Sequence, residues 1–273
     1  MAGGSEESTI AETVTTLHFG VVANPEQARE ALAQFCGDLE RATGMSIQPK
    51  AAESYSALVN GVRQGEIDIA WAPPLVAVEL EDQKLASSVA VVQRTQRSGY
   101  YCAVFVRASS SIKKPEDLHG ARPAWVTRES ASGYVVPRWY LRSLGIDLDA
   151  AFRDEQFLGS HEAVLEAVLE GRADTGATHV GLDPVTGKLK TAPWLSESAA
   201  VGAVRVILLI GPIPGDVLMA STRLSPTAQR QLTAAFLSLR GEIALFEASR
   251  FDPVPDGHFT MLRKLSRYSE TRS

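Results

Sequence analysis

The sequence predicts an α/β protein of two lobes, each a mostly parallel sheet flanked by helices. Short apolar segments rich in β-branched residues alternate with segments of helical periodicity, which is typical of such sheets. The chain has 273 residues, 45% of them apolar, enough for one large or two medium domains. The pattern runs through two cycles, and the last helices follow a segment rich in Pro and Gly. We therefore expect the chain to cross between the lobes twice.

The first cycle covers the first 107 residues of the chain. Strands are predicted at residues 17–22, 46–52, 67–72, 88–94 and 100–107. Helices are predicted at 25–43 and 54–64. Gly44 and Gly65 follow these two helices, as glycine does at many helix ends. Pro73 and Pro74 suit the first turn of a further helix.

The second cycle begins with a short acidic helix at residues 115–119. Further strands are predicted at 121–126, 155–159, 173–178 and 204–211, and further helices at 132–144, 162–170, 225–248 and 257–268. With crossings near 107–110 and 211–215, lobe 1 comprises 17–107 plus 215–273, and lobe 2 comprises 108–214. The first 16 residues are rich in Ser, Thr and Glu and are expected to form a flexible lead-in.

Charge and motifs exclude several classes of function. A formal net charge of −5 argues against nucleic acid or an anionic membrane as partner. The most apolar stretch, residues 199–215, is interrupted by Arg205 and two prolines, which favours a buried strand over membrane insertion. No metal-binding histidine spacing, glycine-rich nucleotide motif or nucleophile–base pair occurs. We therefore expect no metal, no cofactor and no catalysis.

The first 16 residues contain neither the basic nor the apolar segment of an export signal. As written, the chain is expected to be cytoplasmic, or else the mature part of a longer protein that is periplasmic or lipid-anchored. Cys36 and Cys102 fall in a predicted helix and a predicted strand, so they indicate nothing about the redox compartment. We expect a monomer.

Four predicted helix starts follow strands, which is where open α/β sheets bind ligands. They lie in "AESYSALV" (52–59), "AWAPPLV" (70–76), "RESASGYVVP" (128–137) and "LGSHEAVLEAV" (158–168). The unpaired N–H groups and partial positive charge of a helix start can bind an anion without lysine or arginine. Several starts facing one cleft would make a pocket of phosphate size.

The helix start at residues 128–137 is the most open of the four. Ser130 and Ser132 supply hydroxyl donors there, and Gly133 is expected to leave backbone N–H groups accessible. Taken alone, each start is better explained by ordinary helix capping, worth about 1 kcal/mol, than by ligand binding. His161 suits a bond to a neighbouring loop as well as a ligand. The combination of the four starts, rather than any single one, indicates an anion pocket.

Four segments in this order resemble one family of proteins: residues 53–79, 130–141, 159–178 and 213–221. The chain resembles the PhnD-type, phosphonate- and phosphite-binding branch of the type II periplasmic binding proteins, which are solute receptors of ABC transporters. The resemblance extends from about Leu17 to Tyr268. It implies two lobes that close on a small anion at two hinge crossings, with an ABC permease as partner.

The resemblance also implies ligand-binding residues. In the family, a Ser-Thr-Ser turn, tyrosines of the first lobe and a histidine of the second lobe hold the phosphonate group. Together with the helix-start argument, the predicted set is Tyr55, Tyr100, Ser130, Ala131, Ser132, Gly133, His161 and Asp216.

Two positions depart from the family pattern. Ala131 replaces the middle threonine of the turn, which removes one hydroxyl donor. Members that bind aminoalkylphosphonates hold the amine with two carboxylates; Asp216 matches one, whereas the other falls near Gly181, with Asp183 two residues further on. The expected ligand is a phosphonate, phosphite or phosphate-like anion. A sulfonate or a thiamine precursor as ligand, and a cytosolic sensory role with a signalling partner, remain alternatives.

Overall fold

The structure, a computed structural model, describes residues 16–23, 25–94, 100–183, 185–196, 201–243, 245–246 and 248–268. Of the predicted flexible lead-in, all but Thr16 lies outside these residues. Among the described helices, none has the length and apolar character needed to cross a membrane.

Strands and helices alternate as the periodicity predicts. In chain order the strands are β1 (Leu17–Val22), β2 (Ile47–Ala52), β3 (Ile69–Ala72), β4 (Ala86–Arg94), β5 (Tyr100–Arg107), β6 (Pro123–Trp125), β7 (Gln156–Phe157), β8 (Thr175–Leu182), β9 (Leu189–Thr191), β10 (Val204–Ile213), β11 (Val217–Ser221), β12 (Arg240–Ile243) and β13 (Ala248–Asp252). The helices are α1 (Pro25–Thr43), α2 (Tyr55–Gln64), α3 (Pro74–Asp82), α4 (Val136–Ser143), α5 (Leu148–Ala151), α6 (His161–Glu170), α7 (Pro193–Ser196), α8 (Pro226–Ser238) and α9 (Thr260–Ser266). Pro115–Leu118 forms a 3₁₀ turn, and Ala131–Val135 forms a π-helical turn that continues into α4.

The described strands form two sheets, in the orders β12-β13-β4-β11-β3-β1-β2 and β10-β5-β8-β6-β7, with β9 beside β8. In the first sheet, all described strands except β11 and β13 run in the same direction. In the second sheet, β5 and β9 oppose the others. The predicted α/β class is confirmed. The prediction was of mostly parallel sheets, but seven of the eleven described strand pairs are antiparallel, among them the two pairs that β11 makes with β3 and β4.

The strand pairing of β5 differs from one predicted crossing. The sequence places residues 100–107 in lobe 1, but β5 pairs with β8 and β10 in the second sheet. The first passage between the sheets therefore lies between Arg94 and Tyr100. β5 is buried along most of its length, and an apolar strand sequence does not indicate which sheet provides its neighbours. The second passage lies between Ile213 and Val217, and we propose that the lobes divide at these two passages.

The predicted helix at 225–248 is wrong beyond Ser238. The chain instead forms β12 and β13, and β13 pairs with β4 at the side of the sheet. Gly241 adopts a φ of 101°, outside the helical range and accessible mainly to glycine. Pairing with β4 satisfies backbone groups that would otherwise form a sheet edge, and it buries Phe251. A short apolar run does not by its sequence distinguish strand from helix.

Helices α1 and α8 cover one face of the first sheet over an aromatic core. Phe35 of α1 packs against Phe19, Trp71 and Phe251 from three strands, with ring centroids 5.1–6.0 Å apart. Edge-to-face and tilted pairs of this kind add about 0.5–1.5 kcal/mol each beyond the buried area. This core fixes the order of β1, β3 and β13, and thereby the strand ends that face the second lobe.

Helix α9 links the two lobes. It packs against α3 in the first lobe and against α4 in the second. Leu262 and Leu265 of α9 belong to a core cluster whose members come from both lobes. Arg263 of α9 donates to Glu81 of α3, with N–O 2.6 Å. The predicted assignment of residues 257–268 to lobe 1 therefore omits the contacts of α9 with the second lobe.

Replacing Phe251 by alanine tests whether β13 anchors the aromatic core. The ring is fully buried, so we expect the change to reduce the free energy of unfolding by about 3–5 kcal/mol. Phe157→Ala is the matched control, because that ring is 37% exposed and should cost far less. Chemical denaturation followed by circular dichroism measures both, and equal losses for the two variants would contradict the packing described.

Candidate functional site

A cleft of about 970 Å³ is lined by residues from both sheets and from the second passage between them. It brings together seven of the eight predicted ligand-binding residues: Tyr55, Tyr100, Ser130, Ala131, Ser132, His161 and Asp216. The starts of α2, α3, the π-helical turn and α6 all reach its walls. The four helix starts selected from the sequence therefore converge on one cleft. Contact of these residues with a ligand stays a prediction.

Serines cap three of these helix starts. The hydroxyl oxygens of Ser54, Ser130 and Ser160 each accept a hydrogen bond at 3.1 Å from the backbone N–H three residues later. The capping interpretation is therefore correct for these hydroxyls. A hydroxyl that accepts a bond still has its own proton to donate, and the first N–H groups of a helix have no intrahelical acceptor. Capping therefore leaves donors available at each start.

The π-helical turn follows from the position of Pro137. In an α-helix the carbonyl of Gly133 would accept from the N–H of residue 137, which proline lacks. The Gly133 carbonyl instead accepts from the N–H of Val126, with N–O 3.3 Å, and the N–H of Val135 bonds five residues back to Ser130. π-helical turns are rare and are frequent at functional sites. This turn holds Ser130, Ala131 and Ser132 against the end of β6.

Gly133 does not have the role predicted for it. It is absent from the cleft wall, and its N–H donates to Ser130 instead of being accessible. A Cβ at this position would lie 2.5 Å from Cγ2 of Val126 and 2.7 Å from the Ser130 hydroxyl oxygen. Glycine is therefore required by close packing against the strand end, a constraint that the sequence does not reveal.

Ser132 and His161 occupy the wall contributed by the second lobe. Ser132 is 3% exposed, and its carbonyl accepts from the buried Cys102 thiol. His161 begins α6, and its Nδ1 lies 2.9 Å from the hydroxyl of Thr178. The ring of His179 packs edge-on against it, with centroids 4.5 Å apart. A Thr178 hydroxyl that donates to Nδ1 leaves the imidazole proton on Nε2, where it can serve as a donor.

Tyr100 and Tyr101 are adjacent residues of β5, and their side chains point to opposite faces of the sheet. Tyr100 lines the cleft, whereas Tyr101 packs against the core cluster beneath the second sheet. Tyr55, the first residue of α2, is 37% exposed. Its pKa is raised, mainly because burial disfavours the phenolate and further because of the negative charges of Asp216 and Glu129. Tyr55 therefore remains a protonated donor at neutral pH.

The sequence did not indicate the partners of Asp216. Arg94 Nη2 donates to Asp216 Oδ2 at 2.6 Å, and the indole N–H of Trp71 donates to the same oxygen at 3.1 Å. Arg94 Nε also donates to the carbonyl of Phe246 at 3.0 Å. Arg94 is the last residue of β4. Its position at the end of a strand is the one sequence feature that could have indicated a residue of the cleft. Trp71 is buried in the core and also lines the cleft.

A family model supports the resemblance. The model described as "ABC transporter, phosphonate, periplasmic substrate-binding protein" matches residues 19–257. The chain belongs to this family. The type II periplasmic-binding-protein fold expected from the sequence is therefore confirmed.

Individual relatives agree in sequence and in fold. The Phosphonates-binding periplasmic protein of Escherichia coli (strain K12) is 26% identical over 235 residues, which cover 83% of this chain and 67% of that protein. XAC2383 from Xanthomonas citri bound to ATP has a TM-score of 0.75 at 20% identity, covering 93% of this chain and 96% of that one. PhnD1 from Prochlorococcus marinus in complex with methylphosphonate has a TM-score of 0.67 at 18% identity, covering 94% and 99%. At these identities the solved structures show a common fold.

The second carboxylate expected from the phosphonate-binding family is not in the cleft. Asp183 accepts hydrogen bonds from the N–H groups of Val185 and Thr186, which lowers the pKa of its carboxyl group and organises the turn. It is not among the cleft-lining residues. Within the described ranges, no group of three metal-ligating side chains occurs.

Gly133→Ala tests the close approach of the π-helical turn to Val126. The added methyl group must displace Val126 or the Ser130 hydroxyl, so we expect a loss of about 1–3 kcal/mol in stability. Gly37→Ala in α1 is the matched control, since its Cβ would meet Arg41 at an ordinary 3.5 Å and alanine favours helix by about 1 kcal/mol. Thermal unfolding compares the two, and an undiminished melting temperature for Gly133→Ala would contradict the packing.

A second prediction concerns the ionisation of Tyr55. Because its pKa is raised in the folded protein, the folded state holds the phenolic proton more tightly than the unfolded chain does. The resulting contribution of Tyr55 to the free energy of unfolding is complete below the usual tyrosine pKa of about 10. It is lost as the pH rises through the pKa of Tyr55 in the folded protein. Asp216→Asn should lower the pKa of Tyr55, although burial should still keep it above the usual value for tyrosine.

The measurement is a titration of tyrosine Cζ by NMR, with Tyr55→Phe to assign the resonance. Asp183→Asn is the control, since Asp183 lies outside the cleft and should leave the pKa unchanged. A pKa that does not respond to Asp216→Asn would show that the two groups are not neighbours.

Proposed function

We propose that the protein binds a small phosphonate-type anion (a phosphonate, phosphite or phosphate) in this cleft, as the solute receptor of an ABC transporter. The convergence of four helix starts from both lobes carries the proposal. Membership in the phosphonate-transporter family supports the transport role and an ABC permease as partner. The E. coli relative is named for binding phosphonates, and the P. marinus neighbour binds methylphosphonate.

The donors suit the three oxygens of such an anion. The turn at Ser130–Ser132 offers backbone N–H groups and hydroxyls, and His161 adds a donor from the same lobe. Tyr55 faces them from α2 in the first lobe, and Tyr100 lies beside the first passage. An anion held from both sides draws the lobes together. Closure excludes water, which strengthens each charge–dipole contact.

Ala131 lies between Ser130 and Ser132 in this turn and has no hydroxyl group. Its side chain is partly buried and packs against the core cluster that includes Trp125 and Val136. Compared with a Ser-Thr-Ser turn, the turn here offers two side-chain donors and the same backbone N–H groups. The proposed ligand therefore depends more on backbone donors than a ligand bound by three hydroxyls does.

A ligand panel tests the proposal. The panel contains methylphosphonate, phosphite, phosphate, methanesulfonate and ATP, examined by thermal shift and then calorimetry. A ligand at 100 times its Kd stabilises the folded protein by about 2.7 kcal/mol. We expect stabilisation by at least one of the first three and none by ATP, whose triphosphate would meet the carboxylate of Glu129. Binding confined to methanesulfonate, or to no member of the panel, would contradict the proposal.

Ser132→Ala tests the turn directly. Loss of a hydroxyl that bonds a charged oxygen should weaken binding of the best panel ligand by about 1–3 kcal/mol. Ser143→Ala is the matched control, since the Ser143 hydroxyl bonds the Tyr140 carbonyl at the other end of α4. Calorimetry gives both affinities, and an unchanged Kd for Ser132→Ala would remove this residue from the binding site.

A further inference from the structure

An ion pair between Arg94 and Asp216 lies in the cleft wall. Arg94 and Asp216 line the cleft, and their side chains are each 22% exposed. The pair joins the end of β4 to the second passage between the lobes, across 122 residues of sequence. Trp71 and the carbonyl of Phe246 hold the two side chains in place. The geometry is therefore fixed by four groups rather than by two flexible side chains meeting in solvent.

The pair changes the charge that a ligand meets. Among the described residues that line the cleft, Arg94 is the one lysine or arginine, and the carboxylates are Glu129 and Asp216. An unpaired Asp216 would repel an anion and attract a positively charged substituent. Paired with Arg94, its charge is compensated within one hydrogen-bond length, so its attraction for a positively charged substituent is reduced.

We propose that Arg94 is a specificity-determining residue, which selects anions whose organic group carries no positive charge by neutralising Asp216. The inference rests on the proposed function and narrows its ligand class. An alkylphosphonate or an inorganic oxyanion fits a wall in which Asp216 is compensated. A zwitterionic aminoalkylphosphonate finds no uncompensated carboxylate at Asp216 to hold its ammonium group.

The test compares two ligands of the same phosphonate head group. Calorimetry at pH 7 gives the Kd for methylphosphonate and for 2-aminoethylphosphonate, and the ratio of the two cancels effects common to both. We expect the wild-type protein to prefer methylphosphonate by about tenfold or more. Arg94→Met keeps an unbranched side chain and removes its charge, and should reduce this preference by about tenfold.

Three further variants separate charge from structure. Arg94→Lys keeps the charge and should keep the wild-type preference to within about twofold. Arg94→Met combined with Asp216→Asn removes both charges and should restore the preference lost in Arg94→Met. Asp216→Asn alone leaves Arg94 unpaired, so the preference for methylphosphonate should increase, and this result does not require Arg94→Met to fold.

Arg122→Met provides the matched control. Arg122 pairs with Asp174 at 2.9 Å but is not in the cleft wall, so both affinities should remain unchanged. A preference that stays constant in Arg94→Met and Asp216→Asn, or a wild-type preference for 2-aminoethylphosphonate, would overturn the assignment of Arg94 while leaving phosphonate binding intact. A wild-type protein that binds neither phosphonate nor any other panel anion would overturn the proposed function and this inference with it.

Discussion

The wall of the second lobe depends on the two backbone bonds of Val126. Its N–H donates to the Gly133 carbonyl at 3.3 Å, and its carbonyl accepts from the N–H of Gly159 at 2.9 Å. The first bond fixes the turn that carries Ser130 and Ser132, and the second fixes the loop that leads into α6. Val126, the residue after β6, thus positions the π-helical turn and the start of α6 next to each other. Pro137 lacks the N–H that would bond the Gly133 carbonyl in an α-helix, and the N–H of Val126 bonds this carbonyl instead.

A chain with a net charge of −5 can form an anion site because its donors act over short distances. Backbone N–H groups and hydroxyls at helix starts are effective within a hydrogen-bond length, whereas the charges elsewhere on the surface are screened beyond about 8 Å at physiological salt. The local arrangement therefore outweighs the total charge. Glu129 and Asp216 are the carboxylates among the described residues of the cleft wall, and Arg94 pairs with Asp216.

Local patterns predicted the helix starts well. The four helix starts selected from the sequence are present, and serines cap three of them, because capping involves residues only three apart. Partners distant in sequence were not predictable in the same way. The assignment of β5 to the second sheet, the pairing of β13 with β4, and the Arg94–Asp216 pair depend on the tertiary arrangement. The sequence around Gly133 predicts an open turn, but glycine is required there because a Cβ would be too close to Val126.

The Arg94–Asp216 pair also lies where the lobes are joined. Arg94 is the last residue of β4, directly before the first passage, and Asp216 lies within the second. The pair therefore ties the two passages together at the floor of the cleft. His258, whose pKa is lowered mainly by burial, contacts the same region through the backbone of Gly215 and stays neutral at pH 7. A ligand that leaves Asp216 to Arg94 keeps this contact intact, whereas one that competes for Asp216 must also disturb the contact between the two passages.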